Sequence, residues 1–158
     1  MNIEAVLHPE MIDVSNQRFE DKDDCFRYLT ELFAKNGYIN DKESFLKSLY
    51  ERENMGTTYM GDHLAVPHGW SDSVVTPTAA LCRCKPFLYQ SAGEEDTVER
   101  VAMLAVPSGI SSNAYMRTLA ILASLLMNES FSYAFKTEDD PNKIIACANQ
   151  EIKRMEGE

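Results

Sequence analysis

The order of apolar and polar positions along this chain predicts helices near both ends and strands between them. Two early segments repeat apolar residues every three or four positions, as one face of a helix does: Cys25, Phe26, Leu29, Leu32 and Phe33, then Phe45, Leu46, Leu49 and Tyr50. We expect Asp23 or Asp24 to cap the first helix and Asp41 to cap the second. Segment 6–12 is expected to be a short turn or an edge segment.

The middle of the chain has the β-branched and apolar character of strands. We expect strands at 57–60, 63–66, 78–84 and 98–106, with a short extra strand at 86–90 and a loop at 91–96. The run that follows Arg100 is almost wholly apolar, which indicates a strand that is covered on both faces.

Three more helices are expected after the strands. The longest begins at Ser111 or Ser112 and should bury a stripe made of Tyr115 or Met116, Leu119, Leu122 or Ala123, Leu126 and Met127. A short helix follows at 129–135, and Asp140 with Pro141 marks the start of the last one. Strands interleaved with helices predict an α/β fold, a three-layer α/β/α-type single domain over residues 1–158 with a mixed sheet of about five strands flanked by helices.

Composition and charge exclude several functions. The chain has 158 residues and a net charge of −10, which argues against a nucleic-acid binder because phosphate backbones require concentrated lysine and arginine. The longest apolar run, 119–127, is about half of the roughly 18–20 residues that span a bilayer. The first residues lack a basic leader, so we expect a cytoplasmic protein.

Several kinds of chemistry have no support in the sequence. The four cysteines form no CxxC pair and have no histidine at finger spacing, so we expect buried thiols and no metal site. His63 and His68 are five residues apart, which is a poor spacing for a shared metal in either a strand or a helix. No serine stands in a nucleophile elbow near them.

The most reactive candidate is His68. The apolar run 64–66 predicts a short buried strand that Pro67 ends, and Gly69 then permits the chain to turn. We therefore expect His68 at the exit of that strand, on a rigid and exposed corner. A neutral imidazole offers a lone pair that can attack phosphorus, bind a metal or accept a proton.

Groups that suit a phosphoryl ligand precede this histidine. Arg52 carries a positive charge, and Thr57 and Thr58 carry hydroxyl donors. If strands 57–60 and 63–66 pair, these side chains approach the corner that carries His68. Phosphoryl oxygens bind to such donors and cations.

Residues 52–69 read RENMGTTYMGDHLAVPHG. This stretch resembles the signature of the enzyme IIA domains of the bacterial sugar phosphotransferase system (PTS), fructose/mannitol type. That signature has an Arg-Glu pair, a glycine followed by Ser/Thr-Thr, a second glycine, and then Ala-Ile/Val-Pro-His-Gly. Weaker similarity covers nearly the whole chain, and the resemblance implies a single α/β domain with a mixed sheet flanked by helices.

The resemblance also implies a phosphotransferase that carries a phosphoryl group during sugar or sugar-alcohol uptake. His68 would accept the group through Nε2 from the phosphocarrier protein HPr and pass it to a cysteine of an enzyme IIB domain. Arg52 would hold the phosphoryl oxygens, with help from the hydroxyl of Thr57 or Thr58. The scheme requires no metal, nucleotide or other cofactor, and at most a peripheral contact with a membrane permease.

One position departs from the family pattern. Mannitol-type members carry a second active-site histidine at the start of the helix after the apolar strand, and Tyr115 stands there in this chain. A tyrosine donates a hydrogen bond to a phosphoryl oxygen but normally carries no positive charge, so His63 is considered as a replacement. The departure adds weight to an alternative function, a regulatory IIA-like phosphohistidine module that is not directly coupled to transport.

Overall fold

The computed structural model describes residues 6–91, 93–109 and 112–157, and it describes 112, 114 and 115 by their backbone alone. Six strands and five helices lie in this part of the chain. The strands are β1 (Leu7–Gln17), β2 (Tyr59–Gly61), β3 (Leu64–Ala65), β4 (His68–Ser71), β5 (Thr78–Ser91) and β6 (Glu94–Pro107). The helices are α1 (Lys22–Lys35), α2 (Lys42–Glu53), α3 (Ser112–Leu126), α4 (Glu129–Thr137) and α5 (Pro141–Met155).

The strands form one mixed sheet. Their order is β1-β5-β6-β3-β2, and β4 also pairs with β6. β5 and β6 make a long antiparallel hairpin, whereas β1 runs parallel to β5, and both β3 and β4 run parallel to β6. β2 pairs antiparallel with β3 at the far edge. The predicted mixed sheet is confirmed, with one short strand more than the five expected.

The sheet separates two apolar cores. Along β6, Val101 and Met103 belong to the core that contains α1 and α2, whereas Ala102 and Leu104 belong to the core that contains α3, α4 and α5. This alternation follows from the two-residue period of a strand. The predicted three layers are therefore confirmed, and β6 is covered on both faces as its apolar run indicated.

The starts of α1, α2 and α5 are set by aspartate caps. Asp41 caps α2 and Asp140 caps α5, as expected. The expected cap of α1 at Asp23 or Asp24 is wrong, because the cap is Asp21, whose carboxylate accepts a hydrogen bond from the amide of Asp24 at 2.8 Å. The two later aspartates lie in the first helical turn, where the helix dipole favours negative charge.

Two strand boundaries differ from the prediction. Of the two alternatives for segment 6–12, the edge segment is confirmed and the short turn is wrong: β1 lies at the edge of the sheet. It continues to Gln17, although residues 13–17 are mostly polar. Their backbone pairs with β5, with Asp13 opposite Cys82 and Gln17 opposite Cys84. The expected extra strand at 86–90 is instead part of β5, and residues 91 and 94–96 of the expected loop belong to β5 and β6.

The buried stripe of α3 agrees with the prediction in part. Leu122 and Leu126 are buried as expected, whereas Met116 and Met127 are exposed and Leu125 is buried instead. Met127 lies beyond the last residue of α3, so the helical period no longer fixes its direction. Residue 111, the alternative start, lies outside the described residues. No helix in the described ranges is long and apolar enough to cross a membrane.

Candidate active site

One pocket gathers most of the residues singled out in the sequence. Arg52, Thr57, Thr58 and His68 line a cavity of about 350 Å³ at the junction of α2, β2 and β4. The opposite wall is apolar and comes from Leu104 on β6 and from four residues of α3: Leu119, Leu122, Ala123 and Leu126. A basic and hydroxylic side thus faces an apolar side across a small space.

The strand before Pro67 ends as expected, at Ala65, but a second strand, β4, begins directly after the proline. β3 and β4 follow one another along the same edge of β6, and residue 67 lies between them. The carbonyl oxygen of Pro67 still accepts a hydrogen bond from the amide of Leu104 at 2.9 Å. His68 therefore opens β4. The expectation of an exposed corner is wrong, because His68 lies in a strand and its side chain is half-buried in the pocket.

Gly69 serves close packing and not a turn. A Cβ at this position would lie 2.3 Å from Oγ of Ser48 and 3.0 Å from Cε1 of Phe45, both on α2. Its φ also lies outside the left-handed region that favours glycine. Successive side chains of a strand point to opposite faces. Gly69 faces α2, so His68 and Trp70 face the other way, and both line the pocket.

The ring of His68 is held by a backbone acceptor. Its Nδ1 lies 3.3 Å from the carbonyl oxygen of Val66. A carbonyl can only accept, so this bond requires the proton on Nδ1 and leaves the lone pair on Nε2. Burial lowers the pKa of His68 below 6.5, the charge of Arg52 lowers it further, and the Val66 bond and the charge of Glu53 oppose this. The neutral, nucleophilic ring is thereby favoured at neutral pH.

Arg52 and Thr57 supply the polar side of the pocket. Arg52 lies in the last turn of α2, and its Nη1 donates to the carbonyl oxygen of Gly56 at 2.9 Å, which orients the guanidinium. Thr57 Oγ1 accepts a hydrogen bond from the amide of Tyr59 at 3.1 Å. This bond does not use the hydroxyl hydrogen of Thr57, which can donate to an oxyanion.

Thr58 has a different position and a different role from Thr57. Its hydroxyl is buried and donates to Oε2 of Glu53 at 2.6 Å. Its oxygen lies 2.7 Å from the hydroxyl of Tyr89, which must be the donor because the single hydrogen of Thr58 is already used. The hydroxyl of Thr58 therefore belongs to a buried network and is not offered to a ligand.

Glu53 is the residue that sequence reasoning missed. Its side chain is only 2% exposed, and its Oε1 accepts from Ser91 at 2.8 Å and from Lys22 at 3.3 Å. With the bond from Thr58, both carboxylate oxygens of this buried side chain are satisfied. The Arg-Glu pair in the sequence was a signal, but partners 31 and 38 residues away along the chain could not be read from it.

The structure does not bring His63 to the pocket. His63 lies on the turn between β2 and β3 with a left-handed φ of 59°, and its ring Nδ1 contacts the carbonyl oxygen of Thr97 at 2.9 Å. The carbonyl oxygen of His63 accepts a hydrogen bond from the amide of Arg100 on β6, whereas His68 pairs with Leu104. Arg100 and Leu104 are four residues apart, so the two histidines lie about 13 Å apart along β6. For Tyr115, the side chain lies outside the described residues.

The cysteines show no catalytic environment. Cys25, Cys82 and Cys84 are buried, and Cys147 is partly buried, all as free thiols. Burial raises the pKa of the Cys25 thiol well above its usual value, which suppresses the nucleophilic thiolate. Within the described ranges, no three or more His, Cys, Asp or Glu side chains cluster as ligands for a metal ion.

A family model described as "Phosphoenolpyruvate-dependent sugar phosphotransferase system, EIIA 2" matches residues 5–151. The chain belongs to this family. The resemblance carried by residues 52–69 is thereby confirmed, and so is the expectation of a phosphotransferase system component.

Curated relatives agree with this membership. The chain is 26% identical over 148 residues to the 2-O-alpha-mannosyl-D-glycerate-specific EIIABC component of Escherichia coli K12, covering 93% of the chain and 22% of that protein. It is 26% identical over 153 residues to the fructose-specific EIIABC component of Bacillus subtilis, covering 97% of the chain and 24% of that protein. The chain thus spans less than a quarter of these relatives. A fructose-like EIIA component of Escherichia coli K12 is 26% identical over 126 residues, and the match covers 80% of this chain and 84% of that protein.

Solved structures share the fold. The nitrogen regulatory protein IIA-Ntr of Neisseria meningitidis superposes with a TM-score of 0.75 at 23% identity, covering 92% of this chain and 98% of that one. The IIA mannitol protein of Escherichia coli superposes with a TM-score of 0.71 at 22% identity, covering 90% and 98%. At this level of identity the likeness supports the three-layer fold and nothing finer.

Proposed function

We propose that this chain is a phosphoryl carrier, and that His68 accepts the phosphoryl group from phospho-HPr and passes it to a cysteine of an enzyme IIB domain. The observation that carries the proposal is the bond from Nδ1 of His68 to the carbonyl oxygen of Val66. It fixes one tautomer, so that the lone pair of Nε2 belongs to a pocket that also contains Arg52 and Thr57.

The first transfer is a displacement at phosphorus. The lone pair of His68 Nε2 attacks the phosphorus of the donor phosphohistidine, a new P–N bond forms, and the electron pair of the broken bond returns to the donor ring. The ring of His68 then carries positive charge, which the Val66 carbonyl oxygen stabilises through Nδ1–H. Arg52 and the hydroxyl of Thr57 stabilise the negative charge spread over the phosphoryl oxygens.

The second transfer reverses the roles. The thiolate of the acceptor attacks phosphorus, the P–N bond breaks, and its electron pair restores the neutral ring of His68. The apolar wall of the pocket and the exposed side chains at its rim, Trp70 (44% exposed) and Met60 (40% exposed), form a contact surface for either partner. Among similar structures is a complex of enzyme IIA mannitol with phosphorylated enzyme IIB mannitol of Escherichia coli, which supports the choice of acceptor.

Relatives support a transport role without naming one sugar. Their names include mannosyl-glycerate-specific, fructose-specific and mannitol-specific components, and several of these are multidomain EIIABC or EIICBA proteins. We therefore propose one IIA unit over residues 1–158 that serves uptake of a sugar or sugar alcohol and is at most peripheral to a membrane permease. The regulatory alternative rests on Tyr115 in place of the second histidine. It predicts that phosphorylation occurs but that no IIB domain accepts the group.

Incubation with radiolabelled phosphoenolpyruvate, enzyme I and HPr tests the proposal. The wild-type protein is expected to take up acid-labile, base-stable label, and His68→Ala is expected to take up none. His63→Ala is the matched control, because that histidine is exposed and lies outside the pocket. Label that persists in His68→Ala, with circular dichroism showing both variants folded, would refute the role of His68. Loss of label on adding a IIB domain, with gain of label on its cysteine, separates transport from the regulatory alternative.

A further inference from the structure

A second cleft, distant from His68, collects positive charge. It has a volume of about 360 Å³ and is lined by four cationic side chains: Arg83, Lys85, Arg100 and Lys136. The chain as a whole contains 25 acidic and 15 basic residues, so this concentration runs against its overall charge. Arg100 lies four residues before Leu104, the β6 partner of His68, which places the cleft about 13 Å along the strand.

Two of the arginines are buried directly opposite each other. Arg83 on β5 and Arg100 on β6 are register partners in the antiparallel hairpin, with exposures of 8% and 2%. Like charges in this position destabilise a sheet, and burial of each guanidinium adds a desolvation cost. A pair that costs stability in this way is better explained by a ligand than by packing.

The existing contacts satisfy Arg83 but not Arg100. Arg83 Nη1 donates to the carbonyl oxygens of Phe135 and Glu138 at the end of α4, at 3.2 and 3.1 Å, and Nη2 pairs with Asp139. Nη2 of Arg100 donates to the carbonyl oxygen and to the carboxylate of Asp62, at 2.6 and 3.1 Å.

Nη1 of Arg100 is the unusual atom. It is buried and has no hydrogen-bond partner among the described residues. The guanidinium also lies over the ring of Phe135, 5.6 Å from its centre, but a ring face is no substitute for an oxygen acceptor. A guanidinium binds an oxyanion best through two parallel bonds, and here one arm of that fork is unused.

The carboxylates that face the cluster do not neutralise it. Three are present: Glu99 lines the cleft, Asp62 binds Arg100 and Lys136, and Asp139 binds Arg83. The side chains of Asp62 and Asp139 are 65% and 85% exposed, so each can turn to solvent with little loss. Four cations against three carboxylates leave the cleft positive.

We propose that this cleft binds a small phosphorylated anion, with the phosphate on the Nη1–Nη2 edge of Arg100 and with Lys85 and Lys136 as further cationic partners. The anion displaces the exposed carboxylate of Asp62 from Nη2 and supplies the missing acceptor for Nη1. Asn16 also lines the cleft. This site is separate from the phosphoryl site at His68 and does not depend on the function proposed there.

Titration followed by NMR at constant ionic strength tests the site, with inorganic phosphate and with glucose 6-phosphate as probes. Both are expected to shift the signals of Arg100 and its neighbours on β5 and α4 saturably. Lys85→Ala/Lys136→Ala is expected to weaken binding about tenfold, since each lost lysine is exposed and is worth about threefold. Tighter binding of glucose 6-phosphate than of phosphate would assign the ligand as a monoester, and equal binding would assign the phosphate group alone.

Two controls make the result decisive. Lys47→Ala/Lys153→Ala removes the same charge from exposed positions outside the cleft and should bind the probes as the wild type does. Arg52→Ala, which alters the His68 pocket, should also leave the cleft signals unchanged. Shifts confined to the His68 pocket, or equal losses in the two double-lysine variants, would overturn the proposal.

Discussion

The tight contact at Gly69 makes a sharp prediction about stability. Gly69→Ala places a Cβ 2.3 Å from Oγ of Ser48 and 3.0 Å from Cε1 of Phe45. The Phe45 ring is fully buried and packs against Phe33 at 5.5 Å between centroids, so it cannot move without disturbing the core. Ser48 Oγ is held at 2.6 Å from the Phe45 carbonyl oxygen, and a rotation would break that bond. Both neighbours therefore resist the added methyl group.

The expected cost is that of overpacking a well-packed core. We expect Gly69→Ala to lower the free energy of unfolding by about 2 kcal/mol and the Tm by roughly 4–8 °C. Equilibrium unfolding in urea, followed by circular dichroism, measures this. Gly109→Ala is the matched control, because a Cβ there meets nothing within 4 Å and its stability should change by less than about 0.5 kcal/mol.

A double-mutant cycle separates this contact from a general effect of alanine in β4. Ser48→Ala removes the atom at 2.3 Å but leaves the Phe45 ring at 3.0 Å, so it should restore only part of the loss. We expect the loss of unfolding free energy in Gly69→Ala/Ser48→Ala to be about 1 kcal/mol smaller than the sum of the losses in the two single variants. Additive effects, or a Gly69→Ala protein as stable as the Gly109→Ala control, would refute the packing argument.

Other outcomes follow from the pocket. The NMR titration midpoint of His68 is expected below 6.5, because burial lowers the pKa of the ring. Since only the neutral ring has a free lone pair, phosphoryl acceptance should hold near neutral pH and be lost as the pH falls through that midpoint. Arg52→Ala is expected to raise the midpoint, since the guanidinium charge helps to lower the pKa; an unchanged midpoint would contradict this. Glu53→Ala is expected to cost about 2–4 kcal/mol in urea unfolding, because Lys22 and Thr58 lose their buried acceptor, and Glu53→Gln should cost less. Equal stability of Glu53→Ala and the wild type would contradict that account.

Features that depend on neighbours in sequence were predictable. The caps at Asp41 and Asp140 are local hydrogen bonds, and the apolar run of β6 reports burial directly. The first cap was mistaken because Asp21, Asp23 and Asp24 all have the right side chain, and only the backbone conformation selects one of them. The motif around His68 was predictable because residue types and spacing are dense over 52–69.

Features that depend on distant partners were not predictable. The polar end of β1 pairs with β5, where the partners of Asp13 and Gln17 are Cys82 and Cys84, and nothing within segment 13–17 indicates partners so far along the chain. The reason for Gly69 lies on α2, and the donors that satisfy the buried carboxylate of Glu53 come from α1 and β5. A glycine after a proline-histidine pair suits a turn as well as a close contact, so the sequence alone did not decide between the two.

The missed carboxylate accounts for the tautomer of His68 through three hydrogen bonds. Glu53 accepts from the hydroxyl of Thr58, which fixes the start of the β2 segment, and the carbonyl oxygen of Thr58 accepts from the amide of Val66 at 2.9 Å. The carbonyl oxygen of that same Val66 residue then accepts from Nδ1 of His68. The buried network sets the position of the last acceptor, and with it the nitrogen that keeps the lone pair. Loss of Glu53 is therefore expected to loosen the orientation of His68 although the two side chains need not touch.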